Sequence, residues 1–314
     1  EKKIKKKIYF FNDLDENKLI NFKKKENSSR VLFIIVSKTG NTVETISNVF
    51  LLNIVKKNSK NIILISEKNN NLLFSLSKKL NLFFIEHKKN VGGRYSVLSE
   101  VGIVPAYLFG INIFNLRSEI LEIFKETNKS LLKSDVVEVT NLMNSKKIKN
   151  LILLNYCPEL EKFLYWCQQL IAESLAKKNK GFLPVISNAP KDHHSLLQLF
   201  LDGPKDKIFY IFSCEKESRE KININKNINI NEFLHKKKLS SVKDAQRKAL
   251  VKSLIDKDIP LREFKISEIN ESVLGKLFSL FIVETVLIGK LSNINPFDQP
   301  AVEQVKISTK KLLS

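Results

Sequence analysis

Cysteine and arginine are both scarce in this chain of 314 residues. The three cysteines, Cys157, Cys167 and Cys214, are odd in number and far apart, so they form neither a metal motif nor a disulfide framework. This usage predicts a reducing, cytoplasmic environment. Arginine supplies only six of the 53 basic residues, although it is the residue favoured for bidentate contacts with bases and phosphates. The net charge of +20 is therefore interpreted as a general enrichment in lysine along the chain, without a specific partner. The alternative is a binding site for a polyanion.

Long uninterrupted apolar runs are also missing. The segment 277–288 contains Ser279, Glu284 and Thr285, and it falls short of the roughly 20 residues that a membrane span needs. The chain begins at Glu1, and the charged stretch behind it lacks the apolar region of a signal peptide. We therefore expect no membrane association, and the start at Glu1 raises the expectation that an N-terminal part is missing.

The chain instead repeats a short apolar strand, a polar loop and an amphipathic helix. The strands are continuous apolar runs, which is typical of parallel strands buried on both faces. Strands are predicted at 8–11, 31–36, 61–66, 82–85, 150–154, 183–186, 207–212 and 263–266. Helices are predicted at 42–57, 70–80, 96–110, 116–133, 158–178, 242–256 and 267–290.

This alternation predicts an α/β fold with two α/β/α sandwich domains built on parallel sheets. We assign the first domain to 1–118, a helical connector to 119–145, the second domain to 146–290, and a C-terminal loop and helix to 291–314. The low-complexity segment 221–231 is interpreted as a surface segment without function.

Residues 37–45 form a polar segment between a predicted strand and a predicted helix. The free N–H groups of a helix N-terminus suit a phosphate, and the hydroxyls of Ser37, Thr39 and Thr42 add donors. The chain contains neither G-x-x-x-x-G-K-[ST] nor G-x-G-x-x-G, so a nucleotide is disfavoured. The alternative is an ordinary polar loop with a helix cap.

The segment 91–96 places Gly92 and Gly93 directly before Arg94. A glycine pair lets the backbone approach a ligand closely, and the arginine can then stabilise a developing anion. The alternative is a surface turn.

Glu173 lies late in the helix predicted at 158–178. The negative end of the helix dipole disfavours an ionised carboxylate, which suits a general base that works near neutrality. The alternative is a solvated glutamate balanced by Lys177 and Lys178.

Two of the four histidines, His193 and His194, follow Asp192 on a loop after Pro190. Histidine suits acid–base work near neutral pH, and a structural role is the alternative. A metal site is disfavoured because the sequence shows no further ligands beside the pair.

Two prolines, Pro296 and Pro300, frame a loop that opens into a terminal helix. Gln299 stands at the start of this helix and Lys306 nearly two turns further on. The alternative is a capped tail helix.

Together these segments resemble the phosphoglucose isomerase family of the bacterial type. The resemblance is carried by 37–45, by 92–99, by 202–207, and by 295–300 with Val302, Glu303 and Lys306. It extends over nearly the whole chain and implies two sugar-isomerase (SIS) domains. It also implies interconversion of glucose 6-phosphate and fructose 6-phosphate, in glycolysis and gluconeogenesis, without a metal or redox cofactor.

The resemblance also implies a role for individual residues. Glu173 corresponds to the family's catalytic base, Arg94 to the group that stabilises the enediolate, and His194 with Lys306 to the pair associated with ring opening. The implied sugar-phosphate contacts are Ser37, Lys38 (chiefly through its backbone), Thr39, Thr42, Gly93 and Gln299. A homodimer with a shared active site is implied, in which His194 serves the neighbouring subunit.

The chain departs from the family pattern at two places. A Gly-Gly-Ser turn that the family carries upstream of Ile8 has no counterpart here. After Glu173 the chain reads Ser174-Leu175-Ala176-Lys177, where the family has a second acidic or Asn residue followed by Gly-Lys, and His193 replaces a more usual Gln or Leu. The first departure favours a rival interpretation, a catalytically impaired SIS-type module that only binds a sugar phosphate.

Overall fold

The computed structural model describes residues 6–224 and 232–313. They belong to two compact units, Glu1–Phe114 and Asn115–Ser314. The finer division into a connector at 119–145 and a second domain from 146 stays a prediction. Most of the low-complexity segment interpreted as surface, residues 225–231, lies outside the described residues.

The first unit contains a parallel sheet of three strands in the order β1-β2-β3. The strands are β1 Phe33–Val36, β2 Ile62–Ser66 and β3 Phe83–Glu86. The helices are α1 Glu16–Lys25, α2 Val43–Leu52, α3 Leu72–Leu80 and α4 Glu100–Leu108, and α5 Ile113–Ser118 begins at the end of the unit. Buried apolar residues of α1, α2, α3, β1 and β2 form one core cluster. The sheet therefore has helices packed on it, as the alternation predicts.

The strand predicted at 8–11 is wrong, and helix α1 was not predicted. Tyr9 and Phe11 instead stack edge-on against Phe22 of α1, with ring centres 5.0 and 5.1 Å apart. Asp15 caps α1 by accepting a hydrogen bond from the Lys18 N–H, and the last turn of the helix is basic, which complements its dipole. The side chains of Tyr9 and Phe11 therefore pack on helix α1, and their segment does not add a strand to the sheet.

The second unit contains a parallel sheet of four strands in the order β5-β4-β6-β7. The strands are β4 Asn150–Asn155, β5 Leu183–Asn188, β6 Lys207–Cys214 and β7 Leu261–Ile266. The helices are α6 Glu126–Asn144, α7 Glu161–Leu175, α8 Leu197–Asp202, α9 Leu239–Asp256, α10 Glu271–Leu291 and α11 Pro300–Leu313. The two central strands, β4 and β6, are almost fully buried, as their continuous apolar sequences predict.

Helix α10 is the one helix of the described residues that is long and apolar enough, by length and composition, to cross a membrane. It carries Glu284, whose side chain is 3% exposed and accepts hydrogen bonds from Tyr210 at 2.9 Å and Arg262 at 2.7 Å. Phe281 of the same helix packs against an aromatic cluster on β6 and β7. A carboxylate paired inside the protein marks α10 as a core helix of the second unit.

Candidate active site

Residues 37–42, called the phosphate loop after the role that the sequence predicts for them, lead from the end of β1 to the start of α2. Ser37 and Thr42 face each other across it, with their hydroxyl oxygens 2.7 Å apart. Thr42 is the N-cap of α2 but its side chain makes no capping bond to a described residue, so it leaves the first N–H groups of the helix open. This arrangement offers hydroxyl and amide donors together, which is the composition of an anion site.

A close approach between Gly40 and Asn71 holds the phosphate loop in shape. Gly40 has φ +65°, and a Cβ added to it would lie 1.8 Å from the Asn71 Oδ1 atom. Asn71 is buried, caps α3 by accepting a hydrogen bond from the Phe74 N–H, and donates one to the Glu67 carbonyl. Neither residue is among the predicted site residues. An asparagine at the predicted start of α3 was the available signal for the cap.

The Lys38 side chain extends sideways from the phosphate loop. Its ammonium group lies 3.8 Å from the Glu67 carboxylate, and its carbonyl accepts a hydrogen bond from the Glu67 N–H. Thr39, which precedes Gly40, is exposed. The charge of Lys38 is therefore directed toward Glu67.

The segment around Arg94 forms a 3-10 turn, Gly93–Leu98, that precedes α4. The sequence predicted one continuous helix from 96, and the structure divides it because the Ser99 N–H closes back on the Ser96 carbonyl. Arg94 is 3% exposed, and its guanidinium carbon lies 5.3 Å from the centre of the Tyr95 ring. No atom of the described residues lies within 4 Å of the point where a Cβ on Gly93 would stand, so a ligand can approach the backbone there.

Glu173 lies in the last turn of α7, where the sequence placed it. Its carboxylate accepts a hydrogen bond of 3.0 Å from the Gln169 side chain one turn earlier. The helix ends at Leu175, three residues before the predicted end, because its C-cap Ala176 leaves the helical region with a ψ of 75°. The helix-end position that motivated the assignment is thus present.

Three lysines after α7 hold the segment that follows α10 in place by hydrogen bonds. Lys177, Lys178 and Lys180 donate hydrogen bonds to the backbone carbonyls of residues 295, 293 and 292, and Lys177 also pairs with Asp298 at 2.8 Å. Their charges are therefore directed to this segment. The contacts bring the end of α7, with Glu173, beside the loop that leads to Gln299. The signal for this role, a basic run directly after a helix end, was in the sequence.

The turn that carries His194 is held by Asp192 and Tyr156. One Asp192 carboxylate oxygen accepts hydrogen bonds from the Ser187 hydroxyl and the Asn188 N–H, at 3.1 and 2.7 Å. His193 bonds through Nε2 to the Tyr156 hydroxyl at 2.7 Å, and burial, with His194 beside it, lowers the pKa of His193. His194 is exposed, and its side chain makes no hydrogen bond or ion pair with a described residue.

The two remaining candidates are Gln299, directly before α11, and Lys306, within that helix. Gln299 is half-buried, and its carbonyl accepts a hydrogen bond from the Val302 N–H at 3.2 Å. Lys306 lies on the exposed helix and pairs with Glu303 at 2.7 Å. The structure gives Lys306 no contact with Glu173 or His194. Among the described residues no group of three potential metal ligands occurs.

Comparison with solved structures defines the class of protein to which these two sheets belong. A Thermus thermophilus protein described as hypothetical superposes with a TM-score of 0.86 at 22% identity, over 98% of this chain and 77% of that one. The glucose-6-phosphate isomerase of Chlamydia trachomatis gives 0.76 at 15% identity, over 96% and 62% of the two chains. The tagatose-6-phosphate ketose/aldose isomerase of Escherichia coli gives 0.53 at 13%, over 90% and 74%. The fold is that of the SIS-type phosphosugar isomerases, as predicted.

Sequence comparison then identifies the particular family. A family model described as phosphoglucose isomerase matches residues 1–314. The glucose-6-phosphate isomerase of Methanocaldococcus jannaschii is 34% identical over 95% of this chain and 75% of its own length. That of Mycoplasmopsis pulmonis is 30% identical over 89% and 68%. The chain belongs to the phosphoglucose isomerase family, so the resemblance drawn from the sequence is confirmed and the protein is an aldose–ketose isomerase.

Proposed function

We propose that the chain interconverts glucose 6-phosphate and fructose 6-phosphate in the cytoplasm. The observation that carries this proposal, beside family membership, is the phosphate loop at the open N-terminus of α2. In this proposal the hydroxyls of Ser37, Thr39 and Thr42 are donors to the phosphate, and Lys38 contributes chiefly its backbone N–H. An anchored phosphate fixes the reacting carbons of the sugar relative to a base, which converts a bimolecular encounter into a positioned reaction.

The proposed chemistry is a proton transfer between C1 and C2 of the open-chain sugar through a cis-enediol. Glu173 removes the C2 proton and returns it to C1 on the same face, so the step needs no metal or redox cofactor. Arg94 stabilises the negative charge that develops on the enediolate oxygen. His194 and Lys306 assist ring opening, and Gly93 and Gln299 hold the sugar. The position of Glu173 in the last turn of α7 supports its role as the base, because the contacts of Lys177 bring that turn beside the loop that leads to Gln299.

The proposal includes a homodimer with a shared active site. Its support in this chain is the exposure of His194, which has no hydrogen-bond or ion-pair partner among the described residues although its turn is firmly held. A side chain presented in this way is available to a neighbouring subunit. Mixing inactive Glu173→Gln chains with inactive His194→Ala chains should then restore activity, because a hybrid dimer holds one intact site.

This hybrid experiment needs subunit exchange, which mass spectrometry of the mixed dimers verifies. Confirmed hybrids without recovered activity would argue that His194 acts within its own chain. A monomer with full activity would reject the shared site altogether.

The isomerase proposal itself is tested with the purified 314-residue chain and glucose 6-phosphate. Formation of fructose 6-phosphate is expected, and it should be lost when Ser37 and Thr42 are both replaced by alanine at low substrate concentration. Binding of the sugar phosphate without any turnover would support the rival, a module that binds but does not isomerise.

A further inference from the structure

His87 is a buried histidine next to the Arg94 segment, and the proposed chemistry does not use it. It directly follows β3, and its N–H donates to the Ser66 carbonyl at 2.7 Å, so it continues the pairing with β2. Its side chain is 1% exposed. The Nδ1 atom bonds to the Glu100 carboxylate and the Nε2 atom to the Val91 carbonyl, the latter at 3.0 Å.

Both hydrogen-bond partners of the His87 ring are acceptors. The two ring nitrogens therefore connect the Glu100 side chain and the Val91 carbonyl to the same buried imidazole. A hydrogen bond to a carboxylate is stronger than one between neutral groups, which makes this a firm buried anchor.

The two partners of His87 stand at the two ends of one segment. Val91 immediately precedes Gly92 and Gly93, and Glu100 is the first residue of α4, directly after the turn that carries Arg94. His87 thus clamps the segment 92–99 at both ends to the sheet. A glycine pair gives a backbone more conformational freedom than any other pair, so the position of Arg94 depends on such external anchors.

We propose that His87, together with Glu100, is a positioning residue that fixes the backbone carrying Arg94 against the developing enediolate. The proposal rests on the proposed role of Arg94. Loss of the clamp lets Arg94 shift without removing it. A displacement of about 1 Å can cost about 100-fold in rate, so the clamp affects turnover more than substrate binding.

The test compares kcat and KM for His87→Ala, Glu100→Ala and Glu100→Gln in the full chain. The two alanine variants should lower kcat by about 10- to 100-fold with KM changed less than about threefold. Glu100→Gln keeps an acceptor for Nδ1–H and should recover part of the loss. In an Arg94→Lys background, adding His87→Ala should change kcat by less than about twofold, because both changes act through the same group.

Asn61→Ala serves as the matched control. Asn61 also lies in the first unit, and its side chain donates two hydrogen bonds, to the carbonyls of Ser28 and Val31, at the opposite end of the sheet from Arg94. Its loss should lower thermal stability without the fall in kcat. If His87→Ala does not fold, Glu100→Ala carries the same test.

Four results separate the possible failures. The positioning role would be overturned if the kcat values of the His87 and Glu100 variants matched that of Asn61→Ala. It would also be overturned if His87→Ala lowered kcat by the same factor in the Arg94→Lys background as in the wild-type chain. A rise in KM with kcat unchanged would overturn it as well. Near-normal turnover of Arg94→Lys and Arg94→Ala would instead refute the proposed function of Arg94, on which the clamp depends.

Discussion

Replacing Gly40 with alanine should destabilise the first unit and disrupt the phosphate loop together. Because Gly40 has φ +65°, an alanine there should lower the free energy of unfolding by about 1–2 kcal/mol through backbone conformation alone. Its Cβ would lie 1.8 Å from Asn71 Oδ1, so the Asn71 side chain must move. That movement loses the cap of α3, about 1 kcal/mol, and the buried bond to the Glu67 carbonyl, about 1–3 kcal/mol. The total is about 3–6 kcal/mol.

Gly110 supplies the matched control because it shares the backbone conformation without the close approach. Its φ is +84°, and nothing among the described residues lies within 4 Å of an added Cβ. Gly110→Ala should therefore cost only the conformational part, about 1–2 kcal/mol. The assay is urea unfolding followed by far-ultraviolet circular dichroism, with the KM for glucose 6-phosphate measured on the same samples.

The expected outcome is a loss for Gly40→Ala that exceeds the loss for Gly110→Ala by about 2–4 kcal/mol, with a raised KM only in the former. Asn71→Ala should lose the same cap and amide bonds and so account for most of that difference. Equal losses for the two glycine variants would refute the packing argument for Gly40.

Further expectations concern three other places in the molecule. The double change of Ser37 and Thr42 to alanine should weaken binding of 6-phosphogluconate by about 3–6 kcal/mol, since each hydroxyl gives about 1.5–3 kcal/mol to a charged group; unchanged affinity in a titration would exclude them as phosphate ligands. Lys177→Met should lower the free energy of unfolding by about 2 kcal/mol through its lost bond to the carbonyl of residue 295, whereas the exposed Lys310→Met should change it little; equal effects in a denaturant series would contradict the fastening role. Because burial lowers the pKa of His193 below its ordinary value of 6.5, the unfolded chain binds the proton more readily, so stability should fall as pH drops through and below 6.5. His193→Gln should reduce that slope, and an unchanged slope would show that other groups produce it.

The sheets were predictable because parallel strands buried on both faces leave continuous apolar runs. Seven of the predicted strands correspond to β1–β7 within a few residues. The eighth, at 8–11, failed because Tyr9 and Phe11 have the alternation of a strand but pack it against the Phe22 ring of α1. Periodicity reports which side of a segment is apolar, and it does not report what that side packs against.

The positions of the candidate residues were predictable where they depend on local structure, as for the hydroxyls between β1 and α2 and for Glu173 at a helix end, while their roles stay predictions. The supporting contacts were not predictable. Asn71 reaches Gly40 and Lys177 reaches the carbonyl of residue 295 across long stretches of chain. Such pairs depend on tertiary packing, which a single sequence does not encode at any fixed spacing.

The central claim is that this chain isomerises a sugar phosphate with Glu173 as the base. The most direct measurement is the rate of fructose 6-phosphate formation from glucose 6-phosphate by the wild-type chain and by Glu173→Gln, under identical saturating conditions. The proposal predicts turnover by the wild-type chain and a fall in kcat of about 100-fold or more in the variant, with little change in substrate binding. Near-normal turnover of the variant would contradict the assignment of the base, and no turnover by the wild-type chain would contradict the proposed function.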